Sequence, residues 1–135
     1  MENQIIDKLA WMRIENQKML CVRTRGKDKF YNPGGKRKDG ETDMQTLVRE
    51  LKEELDIDII PETIRLFGTY ITQADGKPAG TMVKMTTYTA DYKGMLKPFG
   101  EIEELAWVDS SDAHRVSAIQ KEKIFPDLLN KGLIG

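Results

Sequence analysis

Three glutamates, Glu50, Glu53 and Glu54, lie close together in the stretch RELKEELD. At about 100° per residue they share one arc of a helix, and carboxylates four residues apart repel each other. Near a helix C-terminus they also oppose the helix dipole. A solvated surface is the ordinary explanation for a glutamate-rich helix. Here no lysine shares the arc and Arg49 pairs with Glu53 in the weaker order, so the pattern favours a bound cation.

A divalent cation would remove this electrostatic conflict. Mg²⁺ prefers hard oxygen ligands, typically a few carboxylates completed by water and substrate phosphate. The glycines Gly34 and Gly35 predict a turn that brings backbone groups near the same point. The basic run at residues 36–38 suits a polyphosphate, because metals and cations neutralise different parts of a phosphate chain.

One strong helix and several strands must position these residues. Thr42 and Gln45 form a capping-box pattern at the helix start. The core-facing arc of this helix consists of Leu47, Val48, Leu51 and Leu55. Strands are predicted at residues 8–13, 18–25, 29–31, 63–72, 81–92 and 105–108. A second helix is predicted at residues 113–125, with N-caps among Ser110, Ser111 and Asp112 and an interruption at Pro126. This order predicts an α/β (α+β) fold with a mixed sheet between helices.

Composition limits the classes of protein. The 135 residues suit a single domain over residues 1–135, and 21 basic against 22 acidic residues suggest no stable nucleic-acid partner. Apolar runs are too short to span a membrane, and the N-terminus shows no secretory signal. Cys21, flanked by Leu20 and Val22, is predicted to be a strand core residue and fits a reducing compartment. We expect a cytoplasmic monomer or homodimer.

The spacing from Gly35 to Ile57 resembles the Nudix box, G-x5-E-x7-R-E-U-x-E-E-x-G-U, in which U is aliphatic. The match uses Glu41 and the run from Arg49, and it covers 23 residues. Every specified position agrees except Asp56, which stands where the pattern has glycine. The flanks NPGGK and GEIEELAWVD are also similar to the family.

The resemblance implies a MutT-like Nudix hydrolase with an α/β/α sandwich fold. Such enzymes cleave the pyrophosphate bond of a nucleoside diphosphate linked to another group, with Mg²⁺ or Mn²⁺ as cofactor. The implied metal ligands are Glu50, Glu53, Glu54 and the backbone near Gly35. Arg49 would orient the glutamates, and Glu41 would support Arg49 or the metal shell.

The resemblance leaves the general base open. Glu53 is favoured, and a late loop supplies an extra acid in some members. Glu101 is the best candidate for that acid here, with Glu103 and Glu104 as competitors. Phosphoryl charge would be held by Lys36, Arg37, Arg23 or Arg25, for which ordinary solvated surface is the alternative.

Two further expectations concern local structure. Asp56 should take the left-handed conformation of a residue that ends a helix, which aspartate reaches more easily than most residues. The turn-rich segment at residues 73–80 should border the pocket. Arg23 and Arg25 alternate with Val22 and Thr24, so they should share a strand face that could line the cleft.

Several functions compete. The leading one is Mg²⁺-dependent hydrolysis of a nucleoside di- or triphosphate or a nucleoside diphosphate derivative. Alternatives are an ADP-ribose or nucleotide-sugar pyrophosphatase, a non-catalytic nucleotide-binding module and an acidic-helix interaction domain. The intact set of Arg49, Glu50, Glu53 and Glu54 favours turnover over binding alone.

Overall fold

The computed structural model describes residues 4–74 and 76–135. The strands are β1 (Gln4–Trp11), β2 (Ile14–Glu15), β3 (Lys18–Thr24), β4 (Gly34–Lys36), β5 (Asp58–Ile59), β6 (Arg65–Gln73), β7 (Thr81–Thr89), β8 (Tyr92–Lys93) and β9 (Ile102–Val108). The α-helices are α1 (Asp43–Leu55) and α2 (Phe125–Asn130). Short 3-10 turns occupy Pro61–Thr63 and Ser110–Arg115, and a π-helical turn occupies Gln120–Ile124. No helix in these two ranges is long and apolar enough to cross a membrane.

A mixed sheet organises the chain, as the sequence predicts. Its strand order is β4-β1-β7-β6, with β1 parallel to β7 and antiparallel to β4. Strands β6 and β7 pair in antiparallel orientation. A second sheet has the order β2-β3-β9, and β5 pairs with β8.

The two sheets are covered by helices on opposite faces. Alternate strand residues point to opposite faces, and the burial pattern follows this alternation. One apolar cluster joins the strands to α1 through Trp11, Leu20, Val22, Leu47, Leu51 and Leu55. The other joins them to the C-terminal helix through Ala10, Met12, Met19, Cys21, Ile124, Phe125 and Leu128. The structure therefore has the expected α/β/α layers, and burial raises the pKa of the Cys21 thiol, as expected for a core residue.

Helix α1 begins and ends as the sequence predicts. Thr42 Oγ1 accepts the Gln45 N–H at 3.1 Å, and Gln45 Oε1 accepts the Thr42 N–H at 2.9 Å, which completes the capping box. At the other end Asp56 has φ 53° and ψ 39°, the expected left-handed conformation, and its N–H donates to the Lys52 carbonyl.

The C-terminal segment differs from the prediction of one helix over residues 113–125. Ser110–Arg115 is a 3-10 turn capped by Asp109, and extended backbone at Val116 pairs with Phe30 before the helix resumes. Pro126 lies inside the helix instead of interrupting it. Proline lacks an N–H and clashes with the carbonyl four residues earlier. The wider π turn accommodates it, with the Phe125 N–H bonded to the Gln120 carbonyl.

Two predictions before α1 are also wrong. Residues 29–31 form no strand, because Phe30 and Tyr31 make only isolated bridges. Gly34 and Gly35 form no turn and instead pair with β1 as the edge strand β4. Gly34 has φ 145°, and a Cβ there would lie 2.0 Å from the Leu9 carbonyl oxygen. The close approach of β1 therefore requires glycine at this position.

Candidate active site

Arg49 is the centre of the carboxylate arrangement. Its Nε and Nη2 donate to the two Glu41 carboxylate oxygens at 2.7 and 2.9 Å, and its Nη1 donates to Glu50 at 2.8 Å. Nη2 also donates to the Lys36 carbonyl at 3.2 Å, which ties α1 to β4. Hydrogen bonds from Arg49 and from the Lys38 N–H lower the pKa of Glu41 to about 2. The predicted link between Glu41 and Arg49 is therefore present. We call Glu41, Arg49, Glu50, Glu53 and Glu54 the carboxylate site.

Glu54 lies deepest in the carboxylate site. Its Oε1 accepts the Gly34 N–H at 2.8 Å. Burial, followed by repulsion from Glu50 and Glu53, raises its pKa to about 8 despite that hydrogen bond. A buried carboxylate next to two others is costly to ionise unless a cation lies close by.

Gly35 makes room for Glu50. A Cβ on Gly35 would lie 2.5 Å from the carboxyl carbon of Glu50. The glycine is therefore needed because a carboxylate occupies the space that a side chain would fill. Burial raises the pKa of Glu50, partly offset by its hydrogen bond to Arg49.

Glu53 is the most accessible of the three helix glutamates. Its side chain is 55% exposed, against 15% for Glu50, and its nearest contact with Arg49 is 3.3 Å. It can therefore exchange protons and partners more readily than Glu50 or Glu54.

The loop before β9 packs on the last turn of α1. The Phe99 N–H donates to the Glu54 carbonyl at 3.1 Å, and a Cβ on Gly100 would lie 2.6 Å from the Glu53 carbonyl oxygen. The next residue is Glu101. Burial raises the pKa of the Tyr31 hydroxyl, and the negative charges of Glu54, Glu101 and Glu50 raise it further. All three acids are therefore close enough to Tyr31 to influence the same hydroxyl group.

The two competing acids, Glu103 and Glu104, lie in strand β9 and form ion pairs instead. Glu103 pairs with Arg25 at 3.3 Å, and Glu104 pairs with Arg23 at 3.0 Å. Of the three candidates for an additional acid, Glu101 is therefore the one that the fold associates with the carboxylate site.

The donor set suits a hard cation. Carboxylate oxygens are the ligands that Mg²⁺ and Mn²⁺ prefer, and Gly35 leaves the space that Glu50 needs. Within residues 4–74 and 76–135, however, no three acidic, histidine or cysteine side chains converge as ligands of one ion. Arg49 holds Glu50 and Glu53, and Gly34 holds Glu54. Coordination would therefore require side-chain rotation at Glu53 and Glu50.

The four cations predicted to bind phosphate have different surroundings. Arg37 bonds Asp43 at 2.5 Å and Asp7 at 3.3 Å, which fixes the start of α1 to the sheet. Arg23 and Arg25 pair with β9 acids, and Arg23 also lies over the Phe30 ring. Lys36 lies in the wall of a cleft beside Gly35.

This cleft has a volume of about 240 Å³ and lies on the sheet face opposite α1. Its floor is apolar and comes from β1 and β7, with Ile6, Ala10, Val83 and Met85. Its walls include Tyr31, Asn32, Ser117 and Ile119. The predicted loop at residues 73–80 does border it, through Gln73, Ala74 and Lys77, while Asp75 lies outside the described residues.

Lys8 also lines this cleft, and it was not among the predicted site residues. Its charge lowers the pKa of Glu54, so Lys8 is within electrostatic range of the carboxylate site. The sequence carries one weak signal for this residue: a lysine that alternates with the apolar Ile6 and Ala10 on one strand face. His114, the single histidine of the sequence, is exposed on its 3-10 turn.

Fold and site together define a class: an α/β/α protein with a glutamate-bearing helix packed against a glycine edge strand, beside a cleft. The NUDIX domain family matches residues 9–128, and the chain belongs to that family. Its members generally use a divalent metal and act on nucleotide substrates. The prediction that the chain is a Nudix hydrolase is confirmed.

Individual relatives agree with this assignment. An uncharacterized Nudix hydrolase, YvcI from Bacillus subtilis (strain 168), is 28% identical over 118 residues, which cover 87% of this chain and 74% of the relative. The MutT protein of Methanosarcina mazei Go1 superposes with a TM-score of 0.74 at 18% identity, covering 98% of each chain. The E. coli ORF135 protein superposes with a TM-score of 0.70 at 22% identity, covering 96% of this chain and 94% of its own.

Proposed function

We propose that this Nudix hydrolase uses Mg²⁺ to cleave the P–O–P bond of a nucleoside di- or triphosphate or a nucleoside diphosphate derivative. The observation that carries this proposal is the braced carboxylate site beside the cleft. Arg49 and Glu41 hold the glutamates in place, and the cleft offers space and cations for the rest of a nucleotide. A module that only binds nucleotides has no need for this bracing.

The metal would be held by Glu50, Glu53 and Glu54, together with the backbone at Gly35. When bound, a divalent ion screens the charge of the diphosphate and makes a water molecule a stronger acid. Mn²⁺ would serve the same oxygen ligands.

Glu53 is the proposed general base. It is the most exposed of the helix glutamates and the least tightly held by Arg49. It would take the proton of the water that attacks phosphorus, as the P–O bond to the leaving phosphate breaks. Glu101 would add a second acid from the loop that packs on α1.

Among the predicted phosphate contacts, Lys36 needs the least rearrangement, because it already lies in the cleft wall. Arg23, Arg25 and Arg37 would have to exchange an acidic partner for phosphate. Their proposed roles therefore rank below that of Lys36.

We further propose that residues 1–135 act as one domain in the cytoplasm, as a monomer or homodimer. The buried, unpaired Cys21 thiol supports a reducing compartment. ADP-ribose and nucleotide sugars remain alternative substrates within the same reaction class.

Glu53→Gln tests the proposed function most directly. We expect kcat to fall by about 10²- to 10⁴-fold in phosphate-release assays with nucleotides and Mg²⁺, while thermal melts and circular dichroism stay unchanged. Glu62→Gln, at an exposed position of the 3-10 turn Pro61–Thr63, is the matched control and should keep full activity.

Two outcomes would contradict parts of this proposal. Failure to hydrolyse any nucleotide in a broad panel with Mg²⁺ or Mn²⁺ would favour the nucleotide-binding module. Full activity of Glu53→Gln, combined with a large loss in Glu101→Gln, would move the general base to the late loop.

A further inference from the structure

Arg37 directly follows the edge strand β4, and its side chain lies on the face of the sheet that α1 covers. Its partners are Asp7 on β1 and Asp43, the first residue of α1. Lys8, the neighbour of Asp7, lines the cleft, and consecutive strand residues point to opposite faces. Arg37 itself is not among the described residues that line the cleft.

All three nitrogens of the Arg37 guanidinium are bonded to protein oxygens. Nε donates to Asp7 at 3.3 Å, and Nη2 pairs with Asp43 at 2.5 Å. Nη1 donates to the backbone carbonyl of Glu41 at 3.2 Å. Two carboxylates therefore offset the single positive charge of Arg37, and this local charge attracts a phosphate group little.

Asp43 is also held from the sheet. The Tyr88 hydroxyl of β7 donates to its second carboxylate oxygen at 2.5 Å. The hydrogen bond from Tyr88, followed by the one from Arg37, lowers the pKa of Asp43. The start of α1 is therefore fixed to β1 and β7 through an ionised carboxylate.

Arg37 is connected to the carboxylate site through Glu41. It holds the backbone carbonyl of Glu41, whose carboxylate accepts hydrogen bonds from Arg49 at 2.7 and 2.9 Å. Arg49 in turn donates to Glu50 at 2.8 Å. A shift of the Glu41 backbone would therefore move the guanidinium of Arg49, and with it the carboxylate of Glu50.

We propose that Arg37 is a positioning residue, which fixes the Glu41 backbone and thereby orients Arg49 and Glu50, and that it does not bind substrate phosphate. This inference rests on the proposed function, in which Glu50 is a metal ligand. It replaces the role that the basic run at residues 36–38 predicts for Arg37, whereas Lys36 keeps its proposed role.

Mg²⁺ binding to the substrate-free protein tests positioning apart from any phosphate contact. Isothermal titration calorimetry would compare the unmodified protein with Arg37→Gln. Loss of a group that supports a metal ligand weakens metal binding about 10- to 100-fold, and we expect the lower end, because Arg37 acts through two other residues. If Arg37→Gln does not fold, Arg37→Lys takes its place, since a lysine cannot bridge the three acceptors in the same geometry.

Arg13→Gln is the matched control. The Arg13 side chain is 28% exposed, against 30% for Arg37, and it pairs with Glu15, outside α1 and its leading loop. Its Mg²⁺ affinity should stay that of the unmodified protein, even if its melting temperature falls as much as that of Arg37→Gln.

Asp7→Ala separates positioning from phosphate binding by the sign of the effect. A phosphate contact predicts a lower KM for a nucleotide at unchanged Mg²⁺ affinity, because Arg37 would lose an acidic competitor. Positioning predicts weaker Mg²⁺ binding and a lower kcat. The double variant with Arg37→Gln should lose no more than Arg37→Gln alone, because both changes break the same contact.

Nuclear magnetic resonance supplies a measurement that needs no metal. The Nε–H of Arg49 donates to Glu41 at 2.7 Å. In EDTA it should exchange with solvent faster in Arg37→Gln than in the unmodified protein or in Arg13→Gln, because the acceptor is no longer held in place.

The outcomes distinguish this inference from the proposed function. Faster exchange at Arg49 in a protein that hydrolyses no nucleotide would support positioning and reject the catalytic proposal. If Arg37→Gln changed neither this exchange nor the Mg²⁺ affinity, the positioning role would be overturned even in an active hydrolase. A raised KM for nucleotides as its sole effect would return Arg37 to the phosphate contacts.

Discussion

The carboxylate site and the cleft on the opposite face of the sheet meet at β4 and are built in different ways. The carboxylate site comes from one helix and its leading loop, and an internal cation, Arg49, compensates its acids. The cleft combines β1, β4 and the β6–β7 loop, which contribute Lys8, Lys36 and Lys77, and none of its described lining residues is acidic. One region therefore pairs its acids with an internal arginine, whereas the described lining of the other carries lysines and no acid.

The two regions differ in which charges lie next to each other. Arg49 holds Glu50 and Glu53 on α1, and these two side chains would have to rotate away from it to bind a cation. Lys8 and Lys36 are opposed in the register of β1 and β4, and like charges in such a pair repel each other. The three predictions below test whether the two regions are as distinct as the structure indicates.

The largest expected effect is on stability as a function of pH, through Glu54. Its pKa rises from 4.5 to about 8 on folding, so the folded state binds the proton more tightly than the unfolded chain does. The resulting stabilisation is complete below pH 4.5 and is lost as pH rises through about 8. In EDTA we expect the free energy of unfolding to fall by on the order of 3 kcal/mol across this window.

Urea denaturation at a series of pH values would measure this fall. Glu54→Gln, which can still accept the Gly34 N–H, should flatten the profile, and Glu62→Gln should leave it unchanged. Saturating Mg²⁺ should stabilise the protein more at the alkaline end, because metals bind ionised carboxylates. A profile unchanged in Glu54→Gln would show that burial of this acid is not the cause.

Arg49→Met should have the next largest effect. It removes the group that orients Glu50 and Glu53, and loss of such supporting partners typically costs about 10- to 100-fold in metal affinity or activity. Mg²⁺ titration and kcat/KM would be measured beside Arg65→Met, in which the lost arginine contacts only the backbone carbonyls of Glu62 and Ile64. If Arg49→Met and Arg65→Met had equal Mg²⁺ affinity and equal kcat/KM, the glutamates would not depend on Arg49 for their orientation.

The smallest effect is expected at Asp56, the departure from the Nudix pattern. The sequence alone suggests that glycine there stabilises the protein by relieving the left-handed backbone. The structure adds ion pairs from Asp56 to Lys52 and Lys97, each at 3.4 Å, which offset that gain because they tie the late loop to α1. Exposed pairs of this kind contribute little.

We therefore expect Asp56→Gly to shift Tm by less than about 5 °C, with activity retained. Asp56→Asn tolerates the same backbone conformation but lacks the charge. It therefore separates the contribution of the left-handed backbone from that of the ion pairs. A large loss of activity in both variants would show that the loop carrying Glu101 depends on this charge.

Local patterns account for most of what could be predicted. The capping box at Thr42, the apolar arc with Leu51 and the left-handed Asp56 depend on neighbours within a few residues, and all three are observed. The end of the chain was mispredicted because Pro126 follows a π turn, which depends on how the C-terminal helix packs against the sheet.

The sequence by itself determined the carboxylate site, because helical geometry converts the spacing of Glu50, Glu53 and Glu54 directly into a shared face. It also determined the layered fold through alternating and helical patterns. Only the tertiary structure determined where the cleft lies and which residues line it. Lys8 and Lys36 are 28 residues apart in the chain, and the antiparallel register of β1 and β4 alone makes them neighbours. Pairing between distant strands depends on the packing of the whole sheet, and no local spacing encodes it.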